Sequence, residues 1–252
     1  GQPMYSTLTR FDPWVGLTSI IPELAKSWEF SADLLTVTFH LEEGVEYYWH
    51  DALPESLKGA VFTCEDVQAS VERHVRPPKS EPNIIYGAIG MGNVNSVSCP
   101  DGPLGYTAVF NLDRVKDSMM GYISEGGLAM FDKDWLEWFY AEHPGALDTA
   151  TPASFKLAMT TGPWYPKEFI PDIVVKYRKN PTYFKEGLPF MDEFQLVILK
   201  DFNTAFTALA TGQVHVFGAC SGSLQPGQVE QAVRDFPDKI VVTRVVHYSG
   251  QG

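Results

Sequence analysis

Between Thr36 and Leu41 the chain reads TVTFHL, with Val37, Phe39 and Leu41 alternating against Thr36, Thr38 and His40. Successive side chains of a strand point to opposite faces, so the segment has one apolar and one polar side. The spacing predicts a strand with one buried face, ending at Gly44. Any fold this chain adopts must therefore cover that face. The stretch FTCEDVQASVERHV supplies a helix to match. Thr63 stands at its N-cap and Asp66 at the third helical position, an acidic variant of the capping box. Val67, Val71 and His74 follow at spacings of four and three, and Glu65 and Asp66 sit at the favourable end of the helix dipole.

Elsewhere the punctuation is set by Pro and Gly. Turns fall at Asp12-Pro13 and near Pro22, and residues 76–105 read as loops around a short strand near Val94–Val97. YTAVFNL alternates like a strand. DKDWLEWFYAEH is a helix carrying Trp135, Trp138 and Phe139, closed by the linker-like PGALDTATP near residue 150. Beyond the Gly162-Pro163 turn, FIPDIVVKYRKN and FMDEFQLVILK read as strands, the second with Phe194, Leu196 and Ile198 on one face. DFNTAFTALATG is a helix with Gly212 suited to a left-handed C-cap. QVHVF, QPGQVEQAVRDFP and KIVVTRVV then read as strand, helix and strand. The second half thus alternates strand and helix, the pattern of an α/β fold.

Charge and composition remove several functions. At 252 residues with 44% hydrophobic and 20% charged residues, the chain can bury a sizeable core. A net charge of −12 argues against nucleic acid as the principal partner, which needs clustered Lys and Arg. No apolar run approaches the ~20 residues of a membrane helix, and no basic–apolar–small leader is present. Aromatic residues, 13% of the chain, are expected mostly in the core. Cys64, Cys99 and Cys220 show no C-x-x-C spacing, which counts against structural zinc. Three separate thiols are expected, with a Cys64–Cys99 disulfide the alternative in an oxidising compartment.

Catalytic patterns are absent or incomplete. The six histidines, His40, His50, His74, His143, His215 and His247, form no H-x-x-x-H pair. His50 and Asp51 are adjacent, and neighbours in an extended segment face opposite ways. CSGS at 220–223 is no G-x-S-x-G elbow, and GAIGMGN at 87–93 lacks both dinucleotide spacing and a P-loop lysine. Lys176, Arg178 and Lys179 cluster in TTGPWYPKEFIPDIVVKYRKNPTYF, but their place on a strand before Asn180-Pro181 reads as a solvated edge rather than an anion clamp. Trp164, Tyr183 and Phe184 read as packing residues around that turn. No metal or cofactor is called for.

Five segments in order resemble the large extracellular solute-binding proteins of bacterial ABC importers, the family with dipeptide-, oligopeptide- and nickel-binding members. They are LAKSWEFSADLLTVTFHLEEGVEYYW, FTCEDVQASVERHV, TTGPWYPKEFIPDIVVKYRKNPTYF, PFMDEFQLVILKDFNTAFTALATGQVHVF and the final strand. Where the family reads F-x-D-G, this chain has YYWHDALPESLKGAVFT, with an insertion between Asp51 and Phe62. The family's opening strand is absent, and its members are about twice as long.

The resemblance implies an α/β, periplasmic-binding-protein-like fold of the type II, large peptide-binding class. Residues 1–10 with 151–252 would form an incomplete first lobe carrying an inserted mixed α/β subdomain, 11–150, with the second lobe absent. It implies a non-enzymatic substrate-binding component that captures a small solute, peptide or peptide-like, between two lobes. Partners would be that ligand and the transmembrane permease subunits, with the protein a monomer on the periplasmic or extracellular side of a bacterial or archaeal membrane. Contact with the membrane would come only through the permease or through a lipid anchor outside this chain. The expected ligand-binding residues are Phe217, Gly218, Ala219, Cys220 and Ser221 after the strand Gln213–Phe217, because loops at strand ends commonly face ligand. Tyr5 and Thr7 would lie at the first-lobe rim, and His247 and Tyr248 where the chain crosses to the second lobe. Ordinary turn or hinge packing is the competing reading for each. Peptide, sugar, opine and metal chelate all stay open as ligands, and a hydrolase or a non-transport sensor on the same fold are the alternative functions.

Overall fold

The structure, a computed structural model, describes residues 3–76, 90–144, 152–216 and 226–236. The chain divides into two compact units, one of Gly1–Pro171 with Val175–Gln195 and the other of Asp172–Val174 with Leu196–Gly252. The first unit opens with an antiparallel hairpin, β1 (Thr9–Asp12) and β2 (Gly16–Pro22), turning at Asp12-Pro13 as expected. A four-stranded antiparallel sheet follows, built from β3 (Ala25–Phe30), β4 (Thr36–Leu41), β5 (Val94–Ser98) and β6 (Thr107–Leu112) in the order β3-β4-β6-β5.

The alternation in TVTFHL becomes the centre of that sheet. β4 pairs on both sides, with Phe39 opposite Trp28 of β3 and Ala108 of β6. Val37, Phe39 and Leu41 are fully buried, and the Phe39 and Phe110 rings meet at 4.9 Å. Against this layer lie α1 (Cys64–Val75) and, further along, α2 (Ser118–Tyr122) and α3 (Lys133–Glu142). In α1 the Thr63 backbone N–H donates to Asp66 Oδ2 at 2.9 Å, and Val67, Val71 and His74 are buried, as the spacing predicts. In α3 Asp132 caps by accepting from Trp135 N at 2.6 Å, and Trp135 is fully buried between the rings of Phe131 and Phe139. The Trp135 Nε1–H donates to Leu157 O at 2.8 Å, so this large ring carries no orphan donor.

The cysteines depart from expectation. Cys64 and Cys99 form a disulfide, not two separate thiols, joining the first turn of α1 to the loop after β5. The residues are 35 apart in sequence, a distance that conceals how closely the helix N-terminus approaches that loop. Cys64 N donates to Gly105 O at 2.9 Å and Glu65 N to Pro103 O at 2.9 Å, so hydrogen bonds hold the same junction.

A third sheet, in the order β7-β8-β9, is formed by β7 (Trp164–Ile170), β8 (Val174–Lys179) and β9 (Glu193–Val197). The sequence reading has one strand where the chain makes the hairpin β7–β8, because Pro166 and Pro171 mask the alternation of β7. Phe155 of the short helix α4 (Pro152–Lys156), Trp164 and Tyr177 form a second, small apolar cluster on this sheet. Lys176 pairs with Glu168 at 2.5 Å and Arg178 with Glu193 at 2.6 Å, so these cations are ion-paired, but β8 is the middle strand of its sheet and not the edge the sequence suggests.

The Gly162-Pro163 turn is held tightly. Gly162 N donates to Met4 O at 2.9 Å, and Asn180 Nδ2 donates to Gly162 O at 2.8 Å. A Cβ at position 162 would stand 2.4 Å from Met4 O, so only glycine fits without backbone movement.

In the second unit, α5 (Phe202–Ala210) starts at Asp201, which accepts from Thr204 N at 2.8 Å, and Gly212 takes φ +75° after it. Residues 213–216 form no strand: Gln213 N and Val214 N both donate to Ala208 O, wrapping the chain onto the end of α5. Leu196 and Ile198, read on one face with Phe194, are substantially exposed. Another helix, α6, spans Pro226–Asp235. PGALDTATP lies largely, and KIVVTRVV wholly, outside the described residues.

Two outcomes follow from these joints. Cys64→Ser with Cys99→Ser should lower the unfolding free energy by about 3–4 kcal/mol, the loop-entropy value for a closure of this length, measured by urea denaturation of the oxidised wild type and the variant. Gly162→Ala should cost roughly 1–3 kcal/mol through the clash with Met4 O, read in the same assay; an unchanged midpoint would show that the two backbones separate freely.

Candidate functional site

Of the nine residues the sequence points to, Tyr5 and Thr7 lie within the described part. Phe217, Gly218, Ala219, Cys220, Ser221, His247 and Tyr248 fall outside it. Tyr5 is half-buried, with its ring 4.7 Å from that of Phe131. Burial pushes its phenol pKa well above the usual tyrosine range, against the opposing charge of Arg73. Thr7 is buried and its hydroxyl donates to Thr9 O at 2.5 Å, while its carbonyl accepts from Leu24 N at 3.0 Å. The Thr7 side chain is thus spent within the turn. His50 Nε2 stands 3.2 Å from Ala158 O, and burial lowers its pKa.

What the sequence reading missed stands beside these residues. Glu23 is buried and collects four partners. Arg10 Nε lies 3.1 Å from its Oε2 and Lys185 Nζ bonds the same oxygen. The Tyr183 hydroxyl donates to Oε1 at 3.3 Å and Ser6 Oγ to Oε1 at 3.4 Å. Tyr183 therefore does more than pack, while Trp164 and Phe184 do pack, Phe184 against the main core. The available signal was a carboxylate placed inside the apolar run IIPELA. A charge in such a run is expected to be paired.

A buried acidic pair, Asp66 and Asp132, joins two helix starts. Asp66 Oδ1 accepts from Lys133 N at 2.8 Å while Oδ2 caps α1, and Asp132 caps α3 beside it. Burial first, then the charge of Asp132, pushes Asp66 up to about 8. Burial also raises Asp132 to about 6. His74 is driven the other way, to about 4, by burial and by Arg73, with its ring Nδ1 2.7 Å from Ser70 O. Asp66 and Asp132 hold the starts of α1 and α3 together. In the second unit an open groove of about 490 Å³ runs between β9 and α5, lined by Val197, Leu199, Asn203, Thr207, Gln213 and Val214 among others.

Buried ionic joints and a disulfide brace this α/β frame, and solved structures share its fold. A periplasmic binding protein, DppA from Helicobacter pylori solved with the peptide STSA, superposes with a TM-score of 0.73 at 24% identity, over 92% of this chain and 43% of that one. The oligopeptide-binding protein AppA from Bacillus subtilis, solved with a nonapeptide, gives a TM-score of 0.65 at 21% identity over 84% and 37%. The fold is that of the periplasmic binding proteins. Residues 19–247 match the bacterial extracellular solute-binding proteins, family 5 Middle, and the chain belongs to that family. Di/tripeptide-binding protein 2 of Pseudomonas aeruginosa is 27% identical over 85% of this chain, and heme-binding protein A of Haemophilus influenzae 26% over 84%. The chain spans 39% and 37% of the length of those two relatives.

The raised carboxylates set a pH dependence. An acid whose folded pKa exceeds its unfolded value stabilises the fold below the unfolded pKa and loses that contribution as pH rises through the folded one. Asp66 does so between about 4 and 8 and Asp132 between about 4 and 6. His74 has the opposite sign, losing stability as pH falls from 6.5 toward about 4. Above 6.5, of these three groups only Asp66 still changes its charge. Unfolding free energy should therefore fall between pH 6.5 and 8, by at most about 1.4 kcal/mol per pH unit, and Asp66→Asn should flatten the slope in urea titrations at the two pH values.

Proposed function

We propose that the protein is the solute-binding component of an ABC importer, capturing a peptide or peptide-like solute and delivering it to a membrane permease. The observation that carries this reading is the family match over residues 19–247. Relatives named for di- and tripeptides, and solved relatives holding STSA or a nonapeptide, favour peptide over the other solutes. The reading requires no reacting group: such proteins act by closing two lobes on a ligand, and the permease responds to the closed form.

The two-lobe arrangement is part of the proposal. Residues 1–10 and 151–252 form the first lobe, 11–150 the inserted subdomain, and a second lobe completes the cleft. The bond from Gly162 N to Met4 O supports grouping the first residues with those after 151. Within this reading the loop Phe217–Ser221, the Tyr5–Thr7 rim and the crossing at His247 and Tyr248 face the solute. The protein works as a monomer outside the cytoplasmic membrane, reaching it through the permease or a lipid anchor. The Cys64–Cys99 disulfide supports that compartment, since disulfides persist where the surroundings are oxidising. Among the described residues no helix is long and apolar enough to cross a membrane.

Isothermal titration of the protein against di-, tri- and oligopeptides and against sugars tests this. Saturable one-to-one binding of a peptide, recovered unchanged, is the expected result. Binding to no peptide, or chemical turnover of the bound one, would overturn it.

A further inference from the structure

The second unit leaves a strand edge open beside a groove. β9 ends the order β7-β8-β9, so among the described residues no strand lies on its outer side. Ile198 N donates inward to Ile173 O at 2.9 Å. Backbone groups alternate in direction along a strand, so those of Val197 and Leu199 point outward. The side chains of the same two residues line the groove together with Ala208 of α5 and Val214. Val197 nevertheless stays 47% exposed.

The segment that would fill this place is held elsewhere, and poorly. Gln213 N at 2.8 Å, Val214 N at 3.1 Å and Thr211 Oγ1 at 3.3 Å all converge on Ala208 O. A carbonyl oxygen has two lone pairs, so it serves three donors badly. His215 and Val216 run on exposed, Val216 at 81%. Yet QVHV has the alternation of a half-buried strand, with Val214 and Val216 on one side and Gln213 and His215 on the other. The connection also suits a parallel partner for β9. Such a pair needs a crossover of about a dozen residues or more, normally a helix, and residues 198–212 supply one with α5 inside it. Right-handed closure of that unit lays residues 213–216 along the outer side of β9. Val214 and Val216 then face α5 beside Val197 and Leu199, and the His215 N–H turns toward β9.

We propose that residues 213–216 are a strap with two arrangements: one wrapped onto Ala208 O, and one closed, in which they join the sheet as a strand parallel to β9. Closing exchanges one overloaded acceptor for a ladder on the open edge and covers four apolar side chains, Val197, Leu199, Val214 and Val216. It also brings Val216 to the carboxyl end of β9, the end at which open α/β sheets hold ligands. The wrapped arrangement keeps Val216 away from that end. The inference goes beyond the solute-binding reading and does not depend on it.

The test traps the closed form. Leu196, Ile198 and His215 are exposed and, in a parallel ladder, share the face away from α5. Cys64 and Cys99 are already joined, and Cys220→Ser removes the remaining thiol. On that background, His215→Cys combined with Leu196→Cys or with Ile198→Cys should form a disulfide under mild oxidation. Thr211→Cys with Ile198→Cys, also an exposed pair, should not. Amide exchange followed by NMR then identifies the ladder. In the oxidised variant the N–H at position 215 should exchange about tenfold or more slowly than after reduction, while that of Val214, released from Ala208 O, should exchange faster. Val216→Asp should slow the trapping and leave exchange in the reduced protein unchanged. Near-UV circular dichroism of the reduced variants checks that each is folded, and either cysteine pair suffices if the other misfolds. Absence of a cross-link in both pairs, equal cross-linking at Thr211, or a cross-link without the exchange reversal would overturn the proposal. None of these readouts uses a peptide, so that outcome would leave the solute-binding reading standing.

Discussion

The backbone contact between the first residues and the Gly162 turn is the constraint on which the first unit depends. Gly162 N donates to Met4 O, Ser6 Oγ reaches Thr161 O, and Tyr48 bridges Thr160 as an isolated β-pair. Between those partners runs the excursion that builds the hairpin, the four-stranded sheet and helices α1 to α4. Closing so long a loop has an entropic cost that grows only slowly with length, so a modest set of contacts can hold it. Those contacts must be close, however, and the closeness falls on one residue. With Met4 O 2.4 Å from where a Cβ would stand, any other residue at position 162 must push the two backbones apart.

Around that seam the chain places polar groups where an ordinary core would place apolar ones. Ser6, Thr7, Thr9, Glu23, Thr160 and Thr161 are all buried. Thr7 satisfies itself on Thr9 O, and Thr9 shares a bond with Ser124. Glu23 draws two cations and two hydroxyls. A buried carboxylate left unpaired would cost several kcal/mol, so its partners are obligatory rather than ornamental. The Asp66–Asp132 pair solves the same problem differently. There the donors are the free N–H groups at two helix starts, which carry partial positive charge and need acceptors.

Legibility varied with how local the cause was. The acidic capping box was readable because Thr63 and Asp66 are three residues apart and the bond they make is set by helix geometry. Gly212 was readable because a left-handed C-cap is a property of a single residue. The β7–β8 hairpin was not, since two prolines break the alternation that would have announced β7, and the strand forms because its partner supplies the register. The disulfide was legible only as an alternative to separate thiols, because nothing between Cys64 and Cys99 states how the loops fold back. The strand expected at Gln213–Phe217 fails over its described part for an equally tertiary reason: Ala208 O captures two of its N–H groups. For the site, two of nine residues could be followed, and the Glu23 cluster was invisible because its members are spread from Ser6 to Lys185.

Local patterns in the chain settle most of its elements, though not β7, and the order of its segments settles the family. Period-2 alternation, caps and turn residues act within a few positions, and five ordered segments were enough to identify the kind of protein. Tertiary structure alone decided which charges meet, which cysteines join and which hydroxyls are left without partners. Those outcomes depend on distances between residues far apart in the chain, and no local preference encodes them. Glu23 shows the difference: its identity is written in IIPELA, but its meaning comes from Arg10, Tyr183 and Lys185 arriving beside it.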